Sequence, residues 1–230
     1  MLNIAYYDRS SSFLFLQYLI STVYNELPFA PVVDGYFLTD KPANLIRKKD
    51  FAPIDLLLGT NADEGSLFAL RYNPTYFLRD IPPPMSFEEF RENIPVYTYD
   101  YKTPMESRSI EQEYVDWSKA DDPDSDYLKT LIAFTTDQTF ACPTDMVARA
   151  HVSNAANVYL YHMTHVPTTS VFNLQGRGPE WLGCIHGEDL QFTFGWEFNP
   201  LITDLVDQTP EETAMSLQML KYWSNFIVSG

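Results

Sequence analysis

Apolar residues along this chain fall into short continuous runs and helical stripes, separated by polar, proline-marked breaks. Residues 55–59 (DLLLG) form a continuous run that stops at a glycine. That is the pattern of a strand buried on both faces of a parallel sheet. Residues 157–163 (NVYLYHM) read the same way and predict a second buried strand. Helix starts are marked by capping boxes: Ser86 with Glu89, Thr103 with Glu106, and Thr209 with Glu212. Pro104 and Pro210 stand at the first helical position of the latter two. These signals predict a short helix after Ser86, one from Pro104 to about Trp117, and one from Pro210 to about Ser229. Asp121, Asp122 and Pro123 break the second, with another helix following to about Phe134. One more is expected over 143–153, starting at Pro143. In the last helix Met215, Met219, Tyr222 and Phe226 recur at helical spacing, an amphipathic stripe read as core packing.

Helices interleaved with sparse buried strands define an α/β class. Two clear strands are too few to close such a domain, so the sheet reads as incomplete. Asp34-Gly35, preceded by Pro28 and Pro31, is turn chemistry. The polar loop at 60–65 follows the first strand directly, where open α/β sheets place binding and catalytic groups. Residues 164–185 read as loop and lead into His186-Gly187-Glu188-Asp189. The apolar run at 12–24 is short of the ~20 residues that a membrane helix needs. A buried helix or strand accounts for it better than a signal-peptide core, whose basic flank is reduced here to Arg9 beside Asp8.

Charge narrows the function classes. Lys and Arg number 15 against 31 Asp and Glu, a net charge of −16. A nucleic-acid binder needs a basic footprint, which this chain lacks, and anionic lipid is disfavoured for the same reason. Acidity lining a cleft would attract a cation; otherwise it serves solubility. The two cysteines, Cys142 and Cys184, are too few for a zinc site, and their pairing is open. His162 and His165 lie where strand passes into loop, so they need not share a face. No metal or cofactor site is read from them.

Glu64 and His186 carry the chemistry. Each is followed by a glycine in a loop, and Glu64 lies just beyond a predicted strand. A carboxylate can hold an imidazole in one tautomer and stabilise its charged form, and the imidazole can then act as general base toward a hydroxyl. In α/β-hydrolases the chain order is nucleophile, acid, histidine, and these two residues fit the last two places.

The ordered segments around that pair resemble the type-B carboxylesterase and cholinesterase family. They are 29–38 (FAPVVDGYFL), 57–66 (LLGTNADEGS), Asp116-Trp117, 137–143 (DQTFACP), 181–187 (WLGCIHG), 192–195 (FTFG) and 220–226 (LKYWSNF). The resemblance covers residues 25–230, leaving an unmatched apolar segment at 1–24. It implies the C-terminal portion of an α/β-hydrolase fold, an incomplete sheet with flanking helices. It also implies Glu64 as triad acid, His186 as general base, and no cofactor. The implied substrate is a choline ester or another small carboxylic ester. The implied setting is extracellular, secreted or at the cell surface, and the full-length protein could form a homo-oligomer. The family's serine sits in a Gly-x-Ser-x-Gly elbow upstream of these motifs, and no such motif occurs in these 230 residues. This chain alone is therefore expected to be inactive. Cys142 resembles a family cysteine whose disulfide partner lies near the C-terminus, beyond Gly230.

Departures bear on specificity. By resemblance Leu27 and Phe29 fall at acyl-pocket positions, and Leu27 lacks the usual aromatic. Leu67 replaces a choline-site aromatic, Phe68 keeps the next, and Arg71 stands for a gorge aromatic and would repel a cation. Cys184, two residues before His186, is either an inert core thiol or one open to sulfhydryl reagents. A rival reading is a non-catalytic adhesion protein of the same fold, similar to neuroligins, which would keep these loops without the nucleophile.

Overall fold

The computed structural model describes residues 31–67, 69, 79–97, 103–120, 122, 124–171, 176 and 178–230. The apolar run at 12–24, and Leu27, Phe29, Phe68 and Arg71, lie outside the described residues. The chain divides after Lys48 into two units. In the first, Asp34 Oδ1 accepts from the backbone N–H groups of Tyr36, Phe37 and Leu38, at 2.9, 2.8 and 3.1 Å. Gly35 takes φ +76° at this turn, a region where side chains are strained. A short helix, α1 (Pro42–Lys48), follows, with Asp40 bonded to Lys48 Nζ at 2.8 Å.

The second unit holds the site. Strand β1 (Leu56–Asn61) pairs in parallel with β2 (Val158–Met163), in register from Leu56 opposite Val158 to Asn61 opposite Met163. Both strands lie where the apolar runs place them. Their burial departs from expectation: Tyr159 and Leu160 are 48% and 57% exposed, so β2 is not buried on both faces. Among the described residues the sheet has two strands.

Helices α2 (Phe87–Tyr97), α3 (Pro104–Tyr114) and α4 (Leu128–Thr136) build one apolar cluster. Met85, Phe90, Ile94, Leu128 and Leu131 are almost wholly buried, and the Phe90 and Tyr127 rings stack 6.1 Å apart. The capping boxes at Ser86 and Thr103 form as the sequence predicts. Helix α3 stops at Tyr114 rather than Trp117, because Val115 turns to an extended conformation while its N–H still bonds Glu111.

Helix α4 ends at Thr136, close to the expected Phe134, but the helical path does not stop there. It passes through a wide π turn (Asp137–Ala141) into α5 (Cys142–Val152), giving a continuous helical rod. Pro143, which the sequence marks as a helix start, sits just inside α5. It has no N–H for the carbonyl four residues back, and a wide turn ahead of it accommodates that loss.

Four short elements follow β2: a 3₁₀ turn (Glu180–Leu182), α6 (Leu190–Thr193) and two further 3₁₀ turns (Trp196–Phe198 and Thr203–Leu205). The long helix α7 (Pro210–Ser229) closes the chain behind its capping box at Thr209. Met215 and Met219 pack on Met163, Cys184 and Phe192, as the stripe predicts. Further along, the inward position belongs to Trp223, whose ring meets Tyr161 at 5.1 Å, while Tyr222 is 56% exposed. Phe226 meets Tyr159 at 5.8 Å. No helix among the described residues is long and apolar enough to cross a membrane.

Candidate active site

Parallel pairing puts the C-terminal ends of β1 and β2 side by side. The backbone continues that pairing past the strands. Ala62 N–H donates to Met163 O at 2.9 Å, and Asp63 bridges Ile185, its N–H donating to Cys184 O at 3.1 Å. The Cys184 N–H returns a bond to Asp63 Oδ2 at 2.9 Å. Glu64 and His186 are thereby held at the sheet's carboxyl end, one residue beyond each member of the bridge.

The acid loop is fixed from below. Gly65 N–H donates to Thr136 Oγ1 at 2.9 Å, and Ser66 Oγ donates to Leu182 O at 2.7 Å. A Cβ at Gly65 would overlap Thr135 Oγ1 and the Ile132 carbonyl, so only glycine lets the loop lie against α4. The histidine loop is fixed by Glu188, which is buried. Its carboxylate accepts from Ser170 Oγ at 2.5 Å, Val171 N–H at 3.1 Å and Gln191 Nε2 at 3.0 Å. Burial holds the Glu188 pKa above the usual carboxylate range despite these donors.

Between the two loops, Glu64 Oε2 lies 2.6 Å from His186 Nδ1, and Glu64 Oε1 accepts the Asn61 N–H at 2.7 Å. An ionised carboxylate only accepts, so in the neutral imidazole the proton belongs on Nδ1 and Nε2 is left as the free base. Glu64 is 7% exposed by side chain against 46% for His186. The acid is thus enclosed while the base reaches out. The hydrogen bond donated to Glu64 raises the His186 pKa above its ordinary value; burial opposes this, and Glu64 and Asp189 charges add to it. Phe140, on the π turn, lays its ring 4.7 Å from the imidazole.

Other candidates are placed as follows. Leu67 is half-buried beside the acid loop; Leu27, Phe29 and Phe68 lie outside the described residues. Cys142 is exposed and Cys184 buried, and both are unpaired. Cys184 is a core thiol, its pKa pushed up to about 12 by burial. His162 Nδ1 sits 3.1 Å from Thr60 Oγ1, and His165 Nε2 sits 2.8 Å from Glu212 Oε1. Among the described residues no three His, Cys, Asp or Glu side chains cluster as metal ligands would.

Sequence reasoning missed three participants. Asn61 binds the acid, Asp189 faces the histidine loop, and Phe140 covers the imidazole. The first two stand in the quoted polar motifs, 60–65 and 186–189, and could have been flagged there. Phe140 depends on the π turn, which no local pattern announces.

A model of the carboxylesterase family matches residues 11–230. Acetylcholinesterase of Bungarus fasciatus is 28% identical over 203 residues, covering 88% of this chain and 31% of that relative. The chain thus spans about a third of the length of that relative.

Proposed function

The chain belongs to the carboxylesterase family, and on that premise we propose that it supplies the acid and the general base of a cholinesterase-like ester hydrolase. One observation carries the reading: the enclosed Glu64 carboxylate holds Nδ1 of a half-exposed His186 at 2.6 Å. The family's fold is the α/β-hydrolase, and the two parallel strands with flanking helices are consistent with part of it.

The nucleophile would be a serine in the upstream part of the whole protein. His186 Nε2 would take the serine proton as Oγ attacks the ester carbonyl. The resulting imidazolium, steadied by Glu64, would return that proton to the leaving alcohol as the tetrahedral intermediate collapses to the acyl-enzyme. Water would then attack the acyl-enzyme with His186 again as base, releasing the acid and restoring the serine. Choline esters and other small carboxylic esters are the proposed substrates. The net charge of −16 would favour a cationic one. The proposed setting is outside the cell. Cys142, exposed and unpaired, is open to a cysteine elsewhere in the whole protein.

The test is expression of the full-length product, with hydrolysis of acylthiocholine and aryl esters measured beside the 230-residue chain. The full-length protein should turn over and be blocked by an organophosphate, the chain alone should not, and His186→Ala should abolish activity. Full-length protein with a residue other than serine in the elbow, and no turnover, would place it with the adhesion proteins instead.

A further inference from the structure

Asn61 touches both halves of the Glu64–His186 pair. It is the last residue of β1 and is 1% exposed. Its backbone N–H donates to Glu64 Oε1 at 2.7 Å, leaving Oε2 to face His186. Its side-chain Nδ2 donates to the carbonyl of Ile185 at 3.0 Å and to Asp189 Oδ1 at 3.3 Å. Ile185 immediately precedes His186, and Asp189 opens α6 three residues after it. Asp189 is itself anchored, since its other oxygen accepts the Tyr161 hydroxyl at 2.7 Å.

We infer that Asn61 is a positioning residue that sets the distance between acid and base, gripping the acid with its main chain and the histidine loop with its side chain. Its catalytic meaning rests on the hydrolase reading above, but its geometric effect does not. A fixed Oε1 prevents the carboxylate from rotating away, and a fixed Ile185 carbonyl sets where the imidazole begins. Leucine at this position would keep the branched shape of the side chain, with bulkier methyl ends and no donor. The backbone bond to Glu64 would remain, but Ile185 O and Asp189 Oδ1 would each lose a partner, and the histidine loop could drift. Drift of about 1 Å is enough to cost a serine hydrolase on the order of 10²-fold in rate.

The test compares wild type, Asn61→Leu and Asn61→Ser in the 230-residue chain by NMR. The readouts are the titration midpoint of His186 and its downfield Nδ1 proton. Asn93→Leu serves as a control, because Asn93 is also a buried amide donor, bonding Glu89 O at 2.7 Å within α2, away from the site. Both Asn61 variants should lower the His186 midpoint toward the ordinary histidine value and lose the Nδ1 proton to exchange. Asn93→Leu should change the urea midpoint alone. Serine, short and polar, keeps the variant foldable if leucine does not. In the wild type, the Asn61 Nδ2 protons should exchange with solvent no faster than His186 Nδ1–H. An unmoved His186 midpoint in a folded Asn61 variant, or fast exchange of those Nδ2 protons in the wild type, overturns the inference. Glu64→Gln separates the two ideas. If it leaves the His186 midpoint unchanged, the Glu64–His186 pairing fails. If it lowers the midpoint while the Asn61 variants do not, only the role of Asn61 fails.

Discussion

Gly183 lies directly against the carboxylate of Asp63, so closely that a Cβ would overlap it, and it does so at φ +62°. The same carboxylate holds the Cys184 N–H, two residues before His186. Backbone conformation and close approach thus coincide at the joint between the two loops. Gly183→Ala should cost about 1–3 kcal/mol from the backbone alone. The displaced Asp63 should add to that cost. Urea denaturation checks the stability, and a shifted His186 resonance would report that the joint has moved.

His186 gives a pH signature whose sign is fixed by geometry. Its folded pKa is raised, chiefly by the Glu64 hydrogen bond. The stabilisation from that pairing is therefore fully present below the ordinary histidine value of about 6.5 and fades as pH rises through the higher folded value. Glu64→Gln should destabilise the chain most below that ordinary value. The gap from wild type should narrow on the alkaline side. Urea midpoints measured across pH 5 to 9 check this, and a gap that widens toward alkaline pH would contradict it.

The two thiols should behave differently. Cys184 is fully buried against Met163 and Phe192, with its pKa pushed up to about 12 by burial. Cys142 is exposed. Its own pKa is raised by partial burial and by Asp137 and Asp145, which slows but does not block reaction. A thiol reagent at mildly alkaline pH should label one cysteine in the folded chain and two in denaturant. Rapid labelling of Cys184 in the folded chain would place it in an accessible site instead.

The strands and capping boxes were legible because their causes are local. The run at 55–59 and the Thr-Pro-x-Glu starts act within a few residues. Glu64 and His186 were legible as polar, glycine-flanked positions after strands, and family motifs narrowed the choice to that pair. Their meeting depends on parallel pairing of strands some hundred residues apart. The exposed face of β2 was illegible, because an apolar run says nothing of which neighbours are present to cover it. The stripe on α7 was misjudged at Tyr222. Core contact there is set by where β2 lies, and Tyr161 selects Trp223. Asn61 and Asp189 were visible as letters but not as partners, since their bonds cross from one loop to the other.

The start of α7 offers a pH test with the opposite sign from His186. Glu212 is 1% exposed, yet its carboxylate accepts from Thr209 N–H at 2.9 Å, Thr168 N–H at 2.7 Å and His165 Nε2 at 2.8 Å. Burial pushes its pKa up, but the bonds from His165, Thr209 and Thr168 outweigh burial and hold it below the ordinary glutamate value. A depressed folded pKa contributes stability above the unfolded value, lost as pH falls through the folded one. In Glu212→Gln one carboxylate oxygen becomes an NH₂ group, so at least one donor loses its acceptor. The variant should be clearly less stable than wild type near pH 7, and the difference should close below about pH 4. Thr209→Ala removes the other half of the capping box and should cost about 1 kcal/mol with no such pH dependence. Because α7 carries Met215 and Met219 onto the cluster containing Cys184, a frayed start should also loosen the floor beneath the histidine loop. Faster labelling of Cys184 in Glu212→Gln than in Thr209→Ala would tie that loosening to the buried carboxylate rather than to the cap alone.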